Sequence, residues 1–270
     1  MSISMNSQSA LHEVESRCTQ ERPPRCQSLC PLGLDARAFL GHAAEGRWSD
    51  ARKQLERYLP LPGLLARICD HPCEQGCLRG DLGGAVNLHG LEIFCTEHLG
   101  VQTRSLPMPR KQKRIAVIGA GLAGLVCAWD LAGKGYPVTV FHEGEPQAQL
   151  LSCWPVLAGA GAAALDAEWE ALGRRGVRFE QARTDAACLQ QAAGEYDGVL
   201  LDAGALPELA PAESGMDAQI LHWRDNICCA GWASVTPTGH RFASASRQAG
   251  QGRSAARTLE RLVAGVSLTA

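Results

Sequence analysis

The sequence predicts an α + α/β chain: a helical N-terminal domain followed by a domain built on a parallel sheet covered on both faces. Three observations predict it. Cys18, Cys26, Cys30, Cys69, Cys73 and Cys77 crowd into the N-terminal third among apolar residues at helical spacing. A basic stretch with two prolines, RSLPMPRKQKR (104–114), interrupts that pattern. Beyond it, short apolar runs alternate with helical ones. The boundaries read this way are 1–103 for the helical domain, 104–114 for a linker and 115–270 for the α/β domain.

The elements follow in order. LDARAFLGHAAEGRWSDARKQLERYL (34–59) spaces its apolar residues for helix. RIAVIGAG opens the second part with an apolar β run, LAGLVCAWDLAGKG continues as a helix, and YPVTVFHE reads as a second strand. ALDAEWEALGRRG (164–176) reads as helix, VRFE (177–180) as strand, and YDGVLLDAGA (196–205) as a buried strand ending at glycine. Residues 206–240 are rich in Pro, Gly and Ser and yield no element, and GQGRSAARTLERLVAG (250–265) closes the chain as an amphipathic helix.

Composition narrows the function classes. In 270 residues, 26 Lys and Arg stand against 28 Asp and Glu, a net charge of -2 that lacks the basic footprint of a nucleic-acid binder. Apolar runs all fall short of the ~20 residues that cross a bilayer. The opening MSISMNSQSALHEVES has no apolar core and carries acids, so it reads as neither signal nor transit peptide. These features imply a soluble, cytoplasmic chain. In a reducing compartment its 12 cysteines are not a disulfide framework.

Two cysteine groups carry the N-terminal chemistry: Cys18-x7-Cys26-x3-Cys30-Pro31 and Cys69-x3-Cys73-x3-Cys77. Soft thiolates suit sulfide-bridged iron, and a proline after the last cysteine of a group recurs in ferredoxin motifs whose ligands are shared crosswise between clusters. Zinc is the rival, since x3 spacing is compatible with it, but zinc sites seldom use two triplets. Six unrelated buried thiols would not explain this spacing. Iron–sulfur is the preferred reading.

The stretch CQSLCPLGLDARAFL…GRWSDA…LPGLLARICDHPCEQGCLRGDLGGAVNLHGLEIF resembles the N-terminal domain of the glutamate synthase small subunit and of dihydropyrimidine dehydrogenase. The resemblance implies an α-helical, two-cluster, ferredoxin-like domain that feeds or drains a flavin. It puts Cys30, Cys69, Cys73 and Glu92 on one 4Fe-4S cluster and Cys18, Cys26 and Cys77 on a second. The family has a further cysteine where Glu21 stands, so the second cluster's fourth ligand is Glu21, Cys95 or none, and the cluster is four-iron, three-iron or absent.

IAVIGAGLAGL (115–125) holds Gly119, Gly121 and Gly124 in a G-x-G-x-x-G that follows a β run and opens a helix, the context a dinucleotide fingerprint requires. Gly119 permits the tight turn, Gly121 lets backbone approach a pyrophosphate, and Gly124 lets helix pack on strand. A carboxylate for the ribose is expected about 20 residues on; His142 stands at that place and Glu143 follows it. The family resemblance continues here and implies FAD in a truncated Rossmann-like domain, since the inserted NAD(P)H domain has no counterpart. The family's Gly-Gly run is replaced by GEPQAQLLSCWP, and its Gly-Asp pair by Gly231-Trp232.

The remaining candidates read as structural. His71 and His89 flank the cysteines as solvent-facing or structural residues, Cys228-Cys229 lacks redox spacing, and Trp154, Trp223 and Trp232 fill core. Catalytic side chains are not expected: the sequence offers no Ser-His-Asp set, P-loop or carboxylate pair. The reading is an electron-transfer subunit that passes electrons between two 4Fe-4S clusters and FAD. It lacks an NAD(P)H site, so redox subunits of a hetero-oligomeric complex supply and accept the electrons. The alternative is an iron–sulfur scaffold whose nucleotide fold is empty.

Overall fold

The computed structural model describes residues 6–20, 23–101, 108–160, 162–211, 221–232, 234–235, 241–242 and 244–268. The N-terminal part is helical: α1 (Asn6–Gln20), α2 (Arg25–Leu29), α3 (Ala36–Ala44), α4 (Trp48–Tyr58), α5 (Pro62–Ile68), α6 (Pro72–Gln75) and α7 (Leu88–His98). Asp35 caps α3 by accepting the Ala38 N–H at 3.0 Å, and Asn87 caps α7 through the Gly90 N–H at 2.8 Å. The helical pattern over 34–59 divides in two because Gly46 turns left-handed at φ 72°.

The second part alternates as its pattern implies: β1 (Ile115–Ile118), α8 (Leu122–Gly133), β2 (Val138–His142), α9 (Pro146–Cys153), α10 (Ala162–Arg174), β3 (Val177–Gln181), α11 (Ala186–Glu195) and β4 (Gly198–Asp202). After these come β5 (His222–Arg224), β6 (Ile227–Ala230), β7 (Ser234–Val235), β8 (Arg241–Phe242) and α12 (Ala245–Val263). The main sheet runs β3-β2-β1-β4-β6-β5. Its first five strands are parallel and β5 is an antiparallel edge. β1 and β4 are buried at every position, as strands covered on both faces must be.

Two differences from the sequence reading have local causes. Residues 222–230 form strands although their Pro- and Gly-rich surroundings suggest none, because Ile227, Cys228, Cys229 and Ala230 pair with β4 and are fully buried. The last helix begins at Ala245 rather than at 250, since Ser244 caps it on the Arg247 N–H at 3.3 Å.

One apolar core joins the two parts. Phe39, Leu55 and Leu64 of the helical part share a continuous cluster with Leu125, Leu200 and Leu259 of the sheet part. Polar ties reinforce the seam. Arg253 of α12 binds Asp130 of α8 through Nε at 2.9 Å and donates to the carbonyls of Leu32 (3.1 Å) and Tyr58 (2.7 Å). Glu168 of α10, itself buried, accepts the Gly63 N–H at the start of α5.

Candidate iron–sulfur site and nucleotide cradle

The cysteines lie where helices end. Cys30 closes α2, Cys69 closes α5, Cys73 sits in the single turn of α6, and Cys77 follows it. Two tight corners make this possible. Leu61 and His71 adopt left-handed backbone (φ 50° and 46°) immediately before Pro62 and Pro72, a conformation costing roughly 1–3 kcal/mol per residue. The corner at His71 points its N–H at the sulfur of Cys69, 3.4 Å away.

The fold makes neighbours of thiols from the two cysteine groups. Burial pushes the Cys26 thiol up, and its sulfur neighbours Cys18 and Cys77 add to the effect. Burial carries Cys73 up to about 12, with Glu92 and Cys30 adding. Cys69 rises further for the same first reason, against the pull of the His71 N–H and with Glu92, Asp70 and Cys73 as charged neighbours. Cys26 thus neighbours Cys18 and Cys77, Cys73 neighbours Cys30, and Glu92 neighbours Cys69 and Cys73, while among the described residues no three or more His, Cys, Asp or Glu side chains group closely enough to hold a single metal ion. Cys26, Cys30, Cys69, Cys73 and Glu92 line one cavity, whose other walls are mostly apolar side chains such as Leu34, Leu59 and Leu65.

Glu92 is a buried carboxylate on α7. His71 Nε2 lies 3.5 Å from its Oε2 and 3.2 Å from His89 Nδ1, so His71 is a buried partner of the site rather than a solvent-facing residue. Burial alone would lower the His71 pKa, but the hydrogen bond and charge of Glu92 raise it. Cys95 is buried one turn along α7, with Arg52 and Glu92 as its charged neighbours. Glu21 lies outside the described residues. A largely apolar cavity lined by thiols, with an N–H on one sulfur, suits a soft iron–sulfide core.

Residue types that the motifs did not flag complete this site. Asp70 accepts the Ser246 N–H at 2.8 Å and the Ser244 hydroxyl at 3.0 Å, and Ser246 itself lines the cavity. Pro31 packs against Gly250, where a Cβ would come within 2.5 Å of it. The start of α12 thus forms one wall of the cysteine cavity. Local sequence holds no sign of this, since Asp70 and Ser246 are 176 residues apart.

In the sheet part, Gly119 takes φ 99° and Gly121 caps α8, as the fingerprint expects. Their surroundings are less expected. Asp202, fully buried at the end of β4, accepts the N–H groups of Gly124 (2.6 Å), Gly204 (2.9 Å) and Ala205 (3.3 Å). Burial lifts its carboxyl to about 6 although those three bonds pull it down. A Cβ on Gly121 would lie 2.6 Å from its Oδ2. The cradle therefore fits an anion, and a carboxylate already sits in it. The one signal in the sequence is an acid ending an otherwise apolar strand.

Glu143 follows β2 and accepts the Thr184 N–H at 2.9 Å, while His142 stays buried and holds the Gly144 carbonyl at 3.0 Å. Gly231 and Trp232 both donate their N–H groups to Gln251 Oε1, at 2.8 and 2.9 Å. Cys228 and Cys229 are buried in β6, which agrees with a packing role.

Comparison with known proteins finds a match for each of these parts. Residues 1–103 match the family described as dihydropyrimidine dehydrogenase domain II, 4Fe-4S cluster, and residues 114–194 match glucose inhibited division protein A. The chain is 34% identical over 120 residues to the beta subunit of a Geobacter sulfurreducens NADPH-Fe(3+) oxidoreductase, covering 43% of this chain and 18% of that one. It is 32% identical over 142 residues to the beta subunit of the NADP(+)-dependent formate dehydrogenase of Moorella thermoacetica (43% and 20%). It is 30% identical over 137 residues to the small chain of the NADPH glutamate synthase of Mycobacterium tuberculosis (50% and 28%). The aligned part thus spans less than a third of each of these relatives. The likeness to glutamate synthase small-subunit and dihydropyrimidine dehydrogenase type iron–sulfur proteins holds, with the N-terminal part matching a family described by its 4Fe-4S cluster. Among the described residues, no helix is long and apolar enough to cross a membrane.

Proposed function

We propose that the chain is an electron-transfer subunit in which two 4Fe-4S clusters stand beside an FAD-type nucleotide fold. One observation carries the reading: thiols from two segments far apart in sequence are neighbours, Cys26 of Cys18 and Cys77, and Cys73 of Cys30 and Glu92. A protein that needed only packing would have no reason to group them so.

Cys30, Cys69, Cys73 and Glu92 would hold one cluster, and Cys18, Cys26 and Cys77 the other. FAD would lie against Gly119, Gly121 and Gly124, with Glu143 on its ribose side. A cluster exchanges single electrons and a flavin exchanges one or two, so together they join one-electron to two-electron carriers. The protein's own contribution is to set potential. Glu92 offers a harder oxygen in place of a thiolate, the apolar walls exclude water, and the His71 N–H stabilises negative charge on the Cys69 sulfur. Electrons would enter and leave through redox subunits of a larger assembly, as the beta and small-chain names of the relatives suggest.

The test is composition. Anaerobically purified chain, supplied with FAD at pH 5.5, is expected to carry the iron and acid-labile sulfide of two clusters together with stoichiometric flavin. A colourless preparation holding stoichiometric zinc would overturn the reading. A second reading, an iron–sulfur scaffold with an empty nucleotide fold, is favoured by the carboxylate of Asp202 in the glycine cradle. Clusters without flavin would select it.

A further inference from the structure

We propose that Asp202 is a built-in competitor for the dinucleotide pyrophosphate, so that the fold takes FAD only when this carboxyl is neutral or absent. The inference rests on the reading that the nucleotide fold binds FAD, and it adds how that binding is controlled.

The argument begins with the glycines. In a G-x-G-x-x-G loop the second glycine lacks a Cβ so that the pyrophosphate can approach the backbone. Here that open face is taken from inside the protein, because Asp202 Oδ2 stands 2.6 Å from where the Cβ of Gly121 would be. The same carboxylate crowds Gly124, Gly204 and Gly231, and its Cβ crowds Gly119. Five glycines close around one aspartate.

The hydrogen bonds make the same case. The N-terminus of α8 draws an anion because its first N–H groups lack helical partners. Asp202 Oδ2 accepts one of them, from Gly124, while Oδ1 accepts from Gly204 and Ala205. An ionised Asp202 thus answers the helix's demand for negative charge. A pyrophosphate brought to the same loop would meet a like charge on a buried group, where screening is weak.

Among the described residues, the titratable groups facing Asp202 are thiols: Cys127 of α8, Cys153 of α9 and Cys229 of β6. Burial raises all of them, so they stay neutral over the pH range of the test. The carboxyl of Asp202, with a pKa of about 6, is then the group that changes charge in that range.

The experiment is equilibrium dialysis of FAD, followed by flavin fluorescence, with the cluster-loaded native chain, Asp202→Asn and Asp202→Ala at pH 5.5 and 8. If only the neutral form accepts FAD, a pKa of about 6 leaves roughly one molecule in a hundred competent at pH 8. Asp202→Asn is then expected to bind about 100-fold more tightly than the native chain at pH 8, and within about twofold of it at pH 5.5. Asp202→Ala tests the same point without an amide, and the native pH titration tests it without any substitution. Equal affinities at pH 8 would overturn the competitor while leaving FAD binding intact. No binding by any of the three chains at either pH, with their cluster spectra intact, would overturn the FAD reading and this inference with it.

Discussion

The carboxylate of Asp70 accepts the backbone N–H of Ser246 at 2.8 Å, joining the residue after Cys69 to the first turn of the last helix. The same carboxylate accepts the hydroxyl of Ser244, the residue that caps α12. Asp70 therefore supplies negative charge at the positive end of a 19-residue helix while fixing the cysteine loop against it. Asp70→Ala is expected to cost about 1–2 kcal/mol, the range of a lost helix cap. In a chain of this size that lowers the melting temperature by several degrees. Thermal unfolding of the anaerobic protein checks it; an unchanged midpoint would show that the tie contributes nothing.

The proposed ligand sets make a prediction about iron. Cys69→Ser and Cys73→Ser are each expected to remove one cluster's worth of iron and sulfide, and the double variant no more than either alone. Cys26→Ser is expected to remove the other cluster, so Cys26→Ser with Cys73→Ser loses both. Iron and sulfide assays on anaerobic preparations measure this directly. Additive losses from Cys69→Ser and Cys73→Ser would place them on different clusters.

These two cases show what the sequence makes legible and what it hides. The cysteine triplets, the glycine fingerprint and the alternating apolar runs are local patterns, so the helical part, β1 to β4 and the ligand candidates can be read from them. β6 is hidden because Ile227-Cys228-Cys229-Ala230 is short and set among turn residues, and only its pairing with β4 makes it a strand. Asp70 and Asp202 are hidden for another reason. Their roles depend on α12 and the glycine loop, partners 176 and 78 residues away, and an isolated aspartate carries no trace of them.

Arg253 holds three elements at once. Its guanidinium is paired with Asp130, and its Nη1 reaches the carbonyls that follow Pro31 and end α4. Arg253→Ala leaves the Asp130 charge poorly solvated and two carbonyls without this donor. The expected loss is about 3 kcal/mol. Arg253→Lys keeps the charge but not the fork, and should recover only part of it. Denaturant unfolding of both variants measures the difference, and equal stability of Arg253→Lys and the native chain would reduce the tie to a simple charge contact.

Gly252 sets how closely α12 lies on α8. A Cβ there would fall inside the van der Waals contact of the Ala123 carbonyl oxygen and stand 3.0 Å from the Ala123 Cα, both backbone atoms that cannot rotate aside. Ala is the better helix former by about 1 kcal/mol, so propensity alone predicts that Gly252→Ala stabilises. Packing predicts the opposite, because the helices must separate and open the core around Leu125 and Leu259. A net loss of roughly 1–3 kcal/mol is expected. Gly41→Ala, where nothing lies within 4 Å of the added methyl, is the matched control and is expected to be neutral or stabilising.

Glu168 makes the seam between the two parts sensitive to pH. It is buried on α10, accepts the Gly63 N–H, and burial raises its carboxyl above the ordinary 4.5 despite that bond and the nearby Arg52 and Arg67. A carboxyl whose pKa is higher folded than unfolded binds its proton more tightly in the native state. Its contribution to stability is then greatest below the unfolded value and falls as pH rises through the folded one. Glu168→Gln keeps an oxygen for the Gly63 N–H and removes the ionisation. The variant is therefore expected to lose less stability than the native chain as pH rises from 4.5 toward neutrality, and to match or exceed it at pH 7. Denaturant midpoints across that range read the effect. Parallel pH profiles for the two proteins would mean that Glu168 ionises equally easily in the folded and unfolded chain.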